Sequence, residues 1–285
     1  MFFDRKTNEK IAFSFISISM ATVIAFVVLI LYYIISNGIG AINIEFLTNM
    51  PKNRMTEGGI FPAIVGTISL IVGSMMIALP LGTLAAIYLN EYAGSGRSTW
   101  IIQMAINNLA GTPSVVFGLF GLVLFVKFFS FGPSVLSASL TLALLIVPVI
   151  IRSSEEALAS VPKEYRDASL ALGVTKWQTI RNVVLPAAIP GMVTGSILCI
   201  GRVAGETAPI LLTGAAYFLP RLPDSVHDQF MALPYHLFVL ATSGTNIAQT
   251  RHIQYGTALV LLLIVLSVNF VAVMIRRHYA KKLKL

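Results

Sequence analysis

Charge is scarce in this chain. Of its 285 residues 11% are Asp, Glu, Lys or Arg, against roughly a quarter in soluble domains. That shortage excludes a soluble globular enzyme, a disordered chain and a coiled coil. Cysteine is nearly absent: Cys199 stands alone, so the chain has no internal disulfide and no CxxC or Cys/His metal spacing. Neither a G-x4-G-K-[ST] phosphate loop nor a G-x-G-x-x-G after a strand occurs. The four histidines, His227, His236, His252 and His278, show no metal-ligand spacing. They read as solvated or interfacial, no metal is expected, and no Ser-His-Asp or Cys-His arrangement can be built. No catalytic residue is assigned. What remains is apolar: 56% of residues are hydrophobic and the mean hydropathy is +0.82. The fold class this implies is all-α, a polytopic membrane protein.

A bilayer core of about 30 Å needs about 20 apolar residues in a helix. Six stretches qualify, at about 11–35, 61–89, 99–129, 134–151, 187–212 and 255–275. The first follows a basic start but is too long for the apolar core of a signal peptide, and no clear small-x-small cleavage site follows it. It reads as a retained anchor. No separate soluble domain and no internal repeat is visible, so the chain is expected to be one membrane domain over 1–285.

The net charge of +8 raises nucleic acid as a partner. Its distribution removes it. With the N-terminus inside, cytoplasmic segments hold 14 of the 20 Lys and Arg and outer segments hold five, with Arg202 inside a span. Cytoplasmic loops are enriched in these residues. The expected topology is six spans with both ends cytoplasmic, and Lys281, Lys282 and Lys284 are expected to meet anionic lipid head groups.

Two loops are longer than simple connections. In the outer one, the apolar stretch 230–242 is too short to cross. It is either a re-entrant segment or an amphipathic helix lying on the surface. The inner loop, 152–186, is patterned for short helices. Pro162 suits a first helical turn. Tyr165, Ala168 and Leu172 then form one apolar face, and Gly173 is a C-cap candidate. Thr175 and Gln178 form a capping pattern for a second helix, lined by Trp177, Ile180 and Val184. Pro186 marks its junction with the fifth span. Such a motif exposes its turn to a partner, or else is a lid over the inner mouth.

Arg202 and Glu206 are the only charged residues well inside a span. Charge at mid-membrane costs about 2.5–3.5 kcal/mol on insertion scales and usually marks a pathway or a pairing. At i, i+4 they share one helix face. Arginine's planar fork suits an oxyanion, and Glu206 competing for it keeps such a site weak enough to release. The alternative is a structural ion pair. Thr207 offers a hydroxyl either to the same anion or back to the carbonyl of residue 203. Gly111-Thr112-Pro113-Ser114 interrupts the third span. There Thr112 and Ser114, with Asn107 and Asn108, line a pore, or the proline only kinks the helix. Gly191 with Gly195, and Gly201 with Gly205, are small-xxx-small pairs for close helix packing.

The inner loop carries a resemblance. Asp167-Ala168-Ser169, three residues, Gly173, nine residues, then Val183-Val184-Leu185-Pro186 matches in spacing the E-A-A-x3-G-x9-I-x-L-P loop of ABC importer permeases. Asp replaces Glu, Ser the second Ala, and Val the Ile. The segments GGIFPAIVGT (58–67), AIYLNEY (86–92), NLAGTPSVVFGL (108–119) and GRVAGETAP (201–209) resemble the phosphate importer permeases. IYLNEY and MALPYHLF point to the PstA type rather than its PstC sister.

The resemblance implies a type I ABC importer in a bacterial or archaeal cell membrane. It implies a PstC-type sister permease, two PstB-type ATPase subunits holding ATP and Mg, and an extracytoplasmic PstS-type binding protein delivering inorganic phosphate. The chain itself would hydrolyse nothing and carry no cofactor. Arg202, Glu206, Thr207, Thr112, Ser114 and Asn108 are the pathway candidates. Asp167, Ala168, Leu170, Leu172 and Gly173 are the candidates for ATPase coupling. Charge alone admits molybdate or sulfate, or a stand-alone anion channel or ion-coupled transporter. A stand-alone carrier gives no reason for the patterned inner loop. A membrane scaffold or sensor explains that loop but not the buried charges.

Overall fold

The structure is a computed structural model and describes residues 5–94, 96–243 and 250–282. Lys284 lies outside the described residues, as do the side chains of Lys281 and Lys282.

Among the described residues five helices are long and apolar enough to cross a membrane, and a bent pair makes a sixth. The first is α1 (Arg5–Gly38). It is apolar on every side and packs along α12 (Arg251–Lys282) alone among the long helices, with Tyr33 edge-on to Tyr255 at 5.6 Å. Its remaining surface is open, as a lipid- or partner-facing helix requires.

A small unit of short elements follows. Asn43 caps α2 (Ile44–Thr48), its Oδ1 accepting from the Phe46 N–H at 2.7 Å. Strands β1 (Pro51–Lys52) and β2 (Glu57–Gly58) pair antiparallel. Buried Met55 anchors the turn between them.

The centre of the fold is α3 (Phe61–Ile87) against α6 (Val135–Ala159). Within a bilayer, water does not drive helices together, so association depends on close packing. Two glycines of α3 supply it. A Cβ on Gly73 would sit 2.6 Å from Ser139 Oγ, and one on Gly82 2.6 Å from Ile150 Cγ2. Leu70, Ala78, Leu142, Leu145 and Ile146 fill the seam. The helix α6 runs eight residues past the expected end of the fourth span, and its C-terminal part carries Arg152. That guanidinium pairs with Glu155 at 3.0 Å and donates from Nε to Asn107 Oδ1 at 2.8 Å. It thereby ties α4 (Arg97–Ala110) to α6.

The third span is not one continuous helix. It is α4 followed by α5 (Ser114–Gly121), bent by 102° across Gly111-Thr112-Pro113. Proline at residue 113 lacks an N–H and would clash with the preceding turn. Beyond α5 the chain continues as a π-helical stretch, Leu122–Phe128.

The fifth span also departs from expectation. Helix α9 (Leu185–Gly205) ends at Glu206, and a separate short helix, α10 (Ala208–Thr213), follows. At its N-terminal end, Pro186 does not break the helix. A π turn over Ile180–Val184 widens the helix just before the proline and lets α8 (Lys176–Thr179) run into α9. A π turn absorbs the carbonyl that proline would otherwise strike.

The 230–242 segment is buried and does not lie on the surface. Helix α11 (Leu233–Thr242) packs between α3 and α12, with Phe230, Met231, Ala232 and Leu233 fully enclosed. The Leu233 N–H donates to Thr67 Oγ1 at 2.9 Å, and the Met231 carbonyl sits against Gly66. Phe230 pairs with Ala215 at one end, and at the other Gln254 Nε2, near the start of α12, donates to the Leu240 carbonyl at 3.0 Å. Both ends thus stay at the same end of the bundle, which is the re-entrant alternative.

Candidate functional site

Arg202 is in the last turn of α9, and Glu206 is one residue beyond it in extended backbone (φ −71°, ψ 131°). The two are therefore not on one continuous helix face. They meet because the chain turns out of the helix at Gly205: Arg202 Nε lies 3.3 Å from Glu206 Oε1. Side-chain exposure is 35% for Arg202 and 15% for Glu206, so the guanidinium is reachable from outside the chain. Thr207 precedes α10, and its hydroxyl makes no hydrogen bond among the described residues. The bond back to the Val203 carbonyl is taken instead by the backbone N–H of Glu206, at 3.3 Å.

The other pathway candidates come from the second helix break. Helix α5 packs on α10, where Gly118 makes room for Pro209 and Ala208: a Cβ there would lie 2.9 Å from Pro209 Cα. Ser114 stands one turn before Gly118 on α5, and Thr207 one residue before Ala208. Thr112 donates to the Asn108 carbonyl at 2.9 Å, so its hydroxyl stabilises the bend. Thr112 also edges an open apolar cleft of about 300 Å³ with Val116, Phe120 and Leu144. Asn108 is exposed. Asn107, in contrast, is held by Arg152.

Gly191 and Gly195 pack against Ala157 and Ser153 of α6. Gly201 and Gly205 have nothing near their Cβ positions. The small-residue surface beside Arg202 therefore faces away from the rest of this chain.

At the opposite end of the bundle is the helix–turn–helix. Helix α7 (Lys163–Ala171) is followed by Gly173 at φ +78°, a conformation that favours glycine. The capping box at the next helix is complete: Gln178 N–H donates to Thr175 Oγ1 and Thr175 N–H to Gln178 Oε1. The apolar face faces outward rather than into the bundle. Tyr165, Leu170 and Trp177 are about half exposed and Leu172 is 83% exposed. Asp167, Ala168 and Gly173 are exposed as well. Facing inward, Ser169 of α7 is buried with its hydroxyl 2.9 Å from that of Thr179, and Ile180 and Val184 of the following π turn are buried in the core. All five coupling candidates thus share the exposed surface, around one turn.

His236 departs from the solvated reading. It is 2% exposed on α11, and neither ring nitrogen has a partner. Burial pushes its pKa down to about 4, so the ring is neutral. His227, His252 and His278 are exposed. Among the described residues no cluster of His, Cys, Asp or Glu could hold a metal.

Residues 78–285 match the family model described as the inner membrane component of binding-protein-dependent transport systems. The chain belongs to this family. The permease is 33% identical to a probable ABC transporter permease, YqgI, of Bacillus subtilis, over 98% of this chain and 99% of the relative. It is 35% identical to the phosphate transport system permease protein PstA 1 of Mycobacterium tuberculosis, over 95% and 90%. It is 34% identical to PstA of Yersinia pestis, over 98% and 92%. These relatives bear out the resemblance read from the motifs. Among solved structures, a bacterial ABC transporter that imports alginate superposes with a TM-score of 0.68, at 14% identity, over 96% of this chain and 99% of that one. The methionine transporter MetNI gives a TM-score of 0.58 at 18% identity, over 78% and 94%. The fold is that of a type I importer permease, and the permease is a multi-pass membrane protein.

One feature escaped sequence reading. Glu91, in the π turn Tyr88–Tyr92 at the end of α3, is paired with Arg166 of α7 at 2.7 Å. A separation of 75 residues leaves no periodicity from which to read it.

Proposed function

We propose that this permease is the PstA-type half of an ATP-driven importer of inorganic phosphate. The observation that carries the reading is a partly open arginine, Arg202, held by Glu206 where α9 breaks off before α10, in a chain whose relatives include phosphate permeases. An anion path needs a cation that binds and then lets go. Arg202 offers planar donors, and Glu206 reclaims them once the anion leaves. Thr207 and Ser114 add hydroxyls, and Asn108 an amide.

The open face beside Gly201 and Gly205 is assigned to a PstC-type sister permease, completing the path. The exposed turn at Leu170, Leu172 and Gly173 is assigned to a PstB-type ATPase, two of which would hold ATP and Mg. This chain would itself be non-catalytic. The excess of Lys and Arg on that side supports a cytoplasmic coupling end and cytoplasmic termini. A PstS-type binding protein would then dock at the end carrying α2 and α11. Closure of the ATPases would switch access from outside to inside.

The test is ATP hydrolysis by the reconstituted complex in response to its binding protein. Phosphate-loaded protein should stimulate it. Stimulation by sulfate or molybdate and not by phosphate would move the substrate to another oxyanion.

A further inference from the structure

Helix α3 ends in a π turn, Tyr88–Tyr92, closed by the Ala93 N–H donating to the Tyr88 carbonyl at 2.8 Å. Such turns are rare and concentrate at functional positions. This one is gripped from both sides of the helix–turn–helix. Arg166 of α7 reaches Glu91 with Nη2 at 2.7 Å and Nε at 3.2 Å from Oε1. Its remaining donors go to the end of α6: Nη1 to the Val161 carbonyl at 2.8 Å and Nη2 to the Leu158 carbonyl at 2.9 Å. From α8, the Lys176 ammonium lies 4.9 Å over the Tyr92 ring. Arg166 and Glu91 are 18% and 7% exposed, so water competes little for the pair. Arginine is suited to this junction because its fork can serve a carboxylate and two carbonyls at once.

We infer that the Glu91–Arg166 ion pair is the joint through which the coupling helix moves the transmembrane bundle. Neither residue is on the exposed docking surface. Each acts as a positioning residue: α7 takes the displacement of the ATPase, and Arg166 delivers it to α3 and α6, the central helix pair. The second helix needs no such joint, because α8 is continuous with α9. Without the ion pair, α7 would swing on Gly173 and Pro162 while α3 stayed still. This inference rests on the importer reading given above.

The test uses the complete complex in liposomes, with ATP hydrolysis and phosphate uptake measured on the same sample. Glu91→Gln should leave binding-protein-stimulated hydrolysis within about twofold of wild type and lower the phosphate moved per ATP at least tenfold. The reversal Glu91→Arg with Arg166→Glu should recover part of that ratio, which a general packing defect would not do. A variant with Glu91→Cys and Arg166→Cys makes the comparison within one folded sample. Cys199 is buried and is the only other cysteine. Joining the new thiols with a short bis-methanethiosulfonate reagent should raise phosphate per ATP, and reductant should lower it again. An unchanged ratio in Glu91→Gln, or in the joined and released forms, overturns the inference. If the wild-type complex hydrolyses ATP on demand but accumulates no phosphate, the substrate assignment has failed instead. The joint is then tested with the anion that is transported.

Discussion

Removing the negative charge from the Arg202–Glu206 pair should slow transport by strengthening anion binding. Glu206→Gln is close to isosteric and leaves the backbone turn after Gly205 in place. At 3.3 Å the bare attraction between unit charges is about 5 kcal/mol at an effective dielectric constant of 20. Most of this does not survive, because Arg202 is about one-third exposed and water screens the pair. A net coupling of about 1 kcal/mol is appropriate for such a site, or about a fivefold factor in anion affinity. Phosphate should then leave Arg202 about five times more slowly, and maximal uptake should fall about fivefold while ATP hydrolysis persists. Arg202→Gln removes charged hydrogen bonds worth about 1.5–3 kcal/mol and should lower uptake roughly 10- to 150-fold. Labelled-phosphate uptake into liposomes loaded with ATP measures both, with assembly verified by co-purification. Assembled complexes of both variants transporting within twofold of wild type would refute the reasoning.

Other outcomes follow from single contacts. Gly173→Ala meets no neighbouring atom and bears only the left-handed backbone, a strain of about 1–2 kcal/mol. It should still bind the ATPase, whereas Gly173→Glu should release the ATPase in a pull-down. Thr67→Val keeps the shape of α3 but orphans the buried Leu233 N–H, so the purified permease should lose about 1–3 kcal/mol of stability in a denaturation assay. His236 titrates near 6.5 when exposed but at about 4 in the fold. The folded state binds fewer protons between those values, so stability is full above pH 6.5 and is lost as pH falls toward 4. The loss should reach about 2 kcal/mol by pH 5. His236→Phe should flatten that dependence in thermal unfolding at pH 7 and pH 5.

The spans were legible because twenty apolar residues in a row have few alternatives. The helix–turn–helix was legible because its signals are local: Gly173, the Thr175–Gln178 box and Pro162 act over three or four residues. Its facing was not, because Tyr165, Ala168 and Leu172 form an apolar stripe whether it looks inward or outward. The tertiary contact of Arg166 decided that. The π turns at 88–92 and 180–184 leave no pattern of their own, since they depend on packing and, in the second case, on a downstream proline. Gly205 and Pro209 bracket the break after α9, yet the apolar run through 212 concealed it. The 230–242 segment was ambiguous by length alone, and Gly66 and Thr67 on a distant helix settle it. Arg202 and Glu206 are legible as a pair from their spacing, although a turn at Gly205 rather than a shared helix face joins them. The packing of α5 against α10 at Gly118 and Pro209 is a tertiary contact that no spacing encodes.

The most direct test of the account is ATP-dependent accumulation of labelled phosphate by the wild-type permease, reconstituted with its sister permease, ATPase and binding protein. The account predicts uptake that requires internal ATP and external binding protein and resists excess sulfate and molybdate. An assembled, ATP-hydrolysing complex that accumulates no phosphate, or accumulates it without ATP, would contradict it.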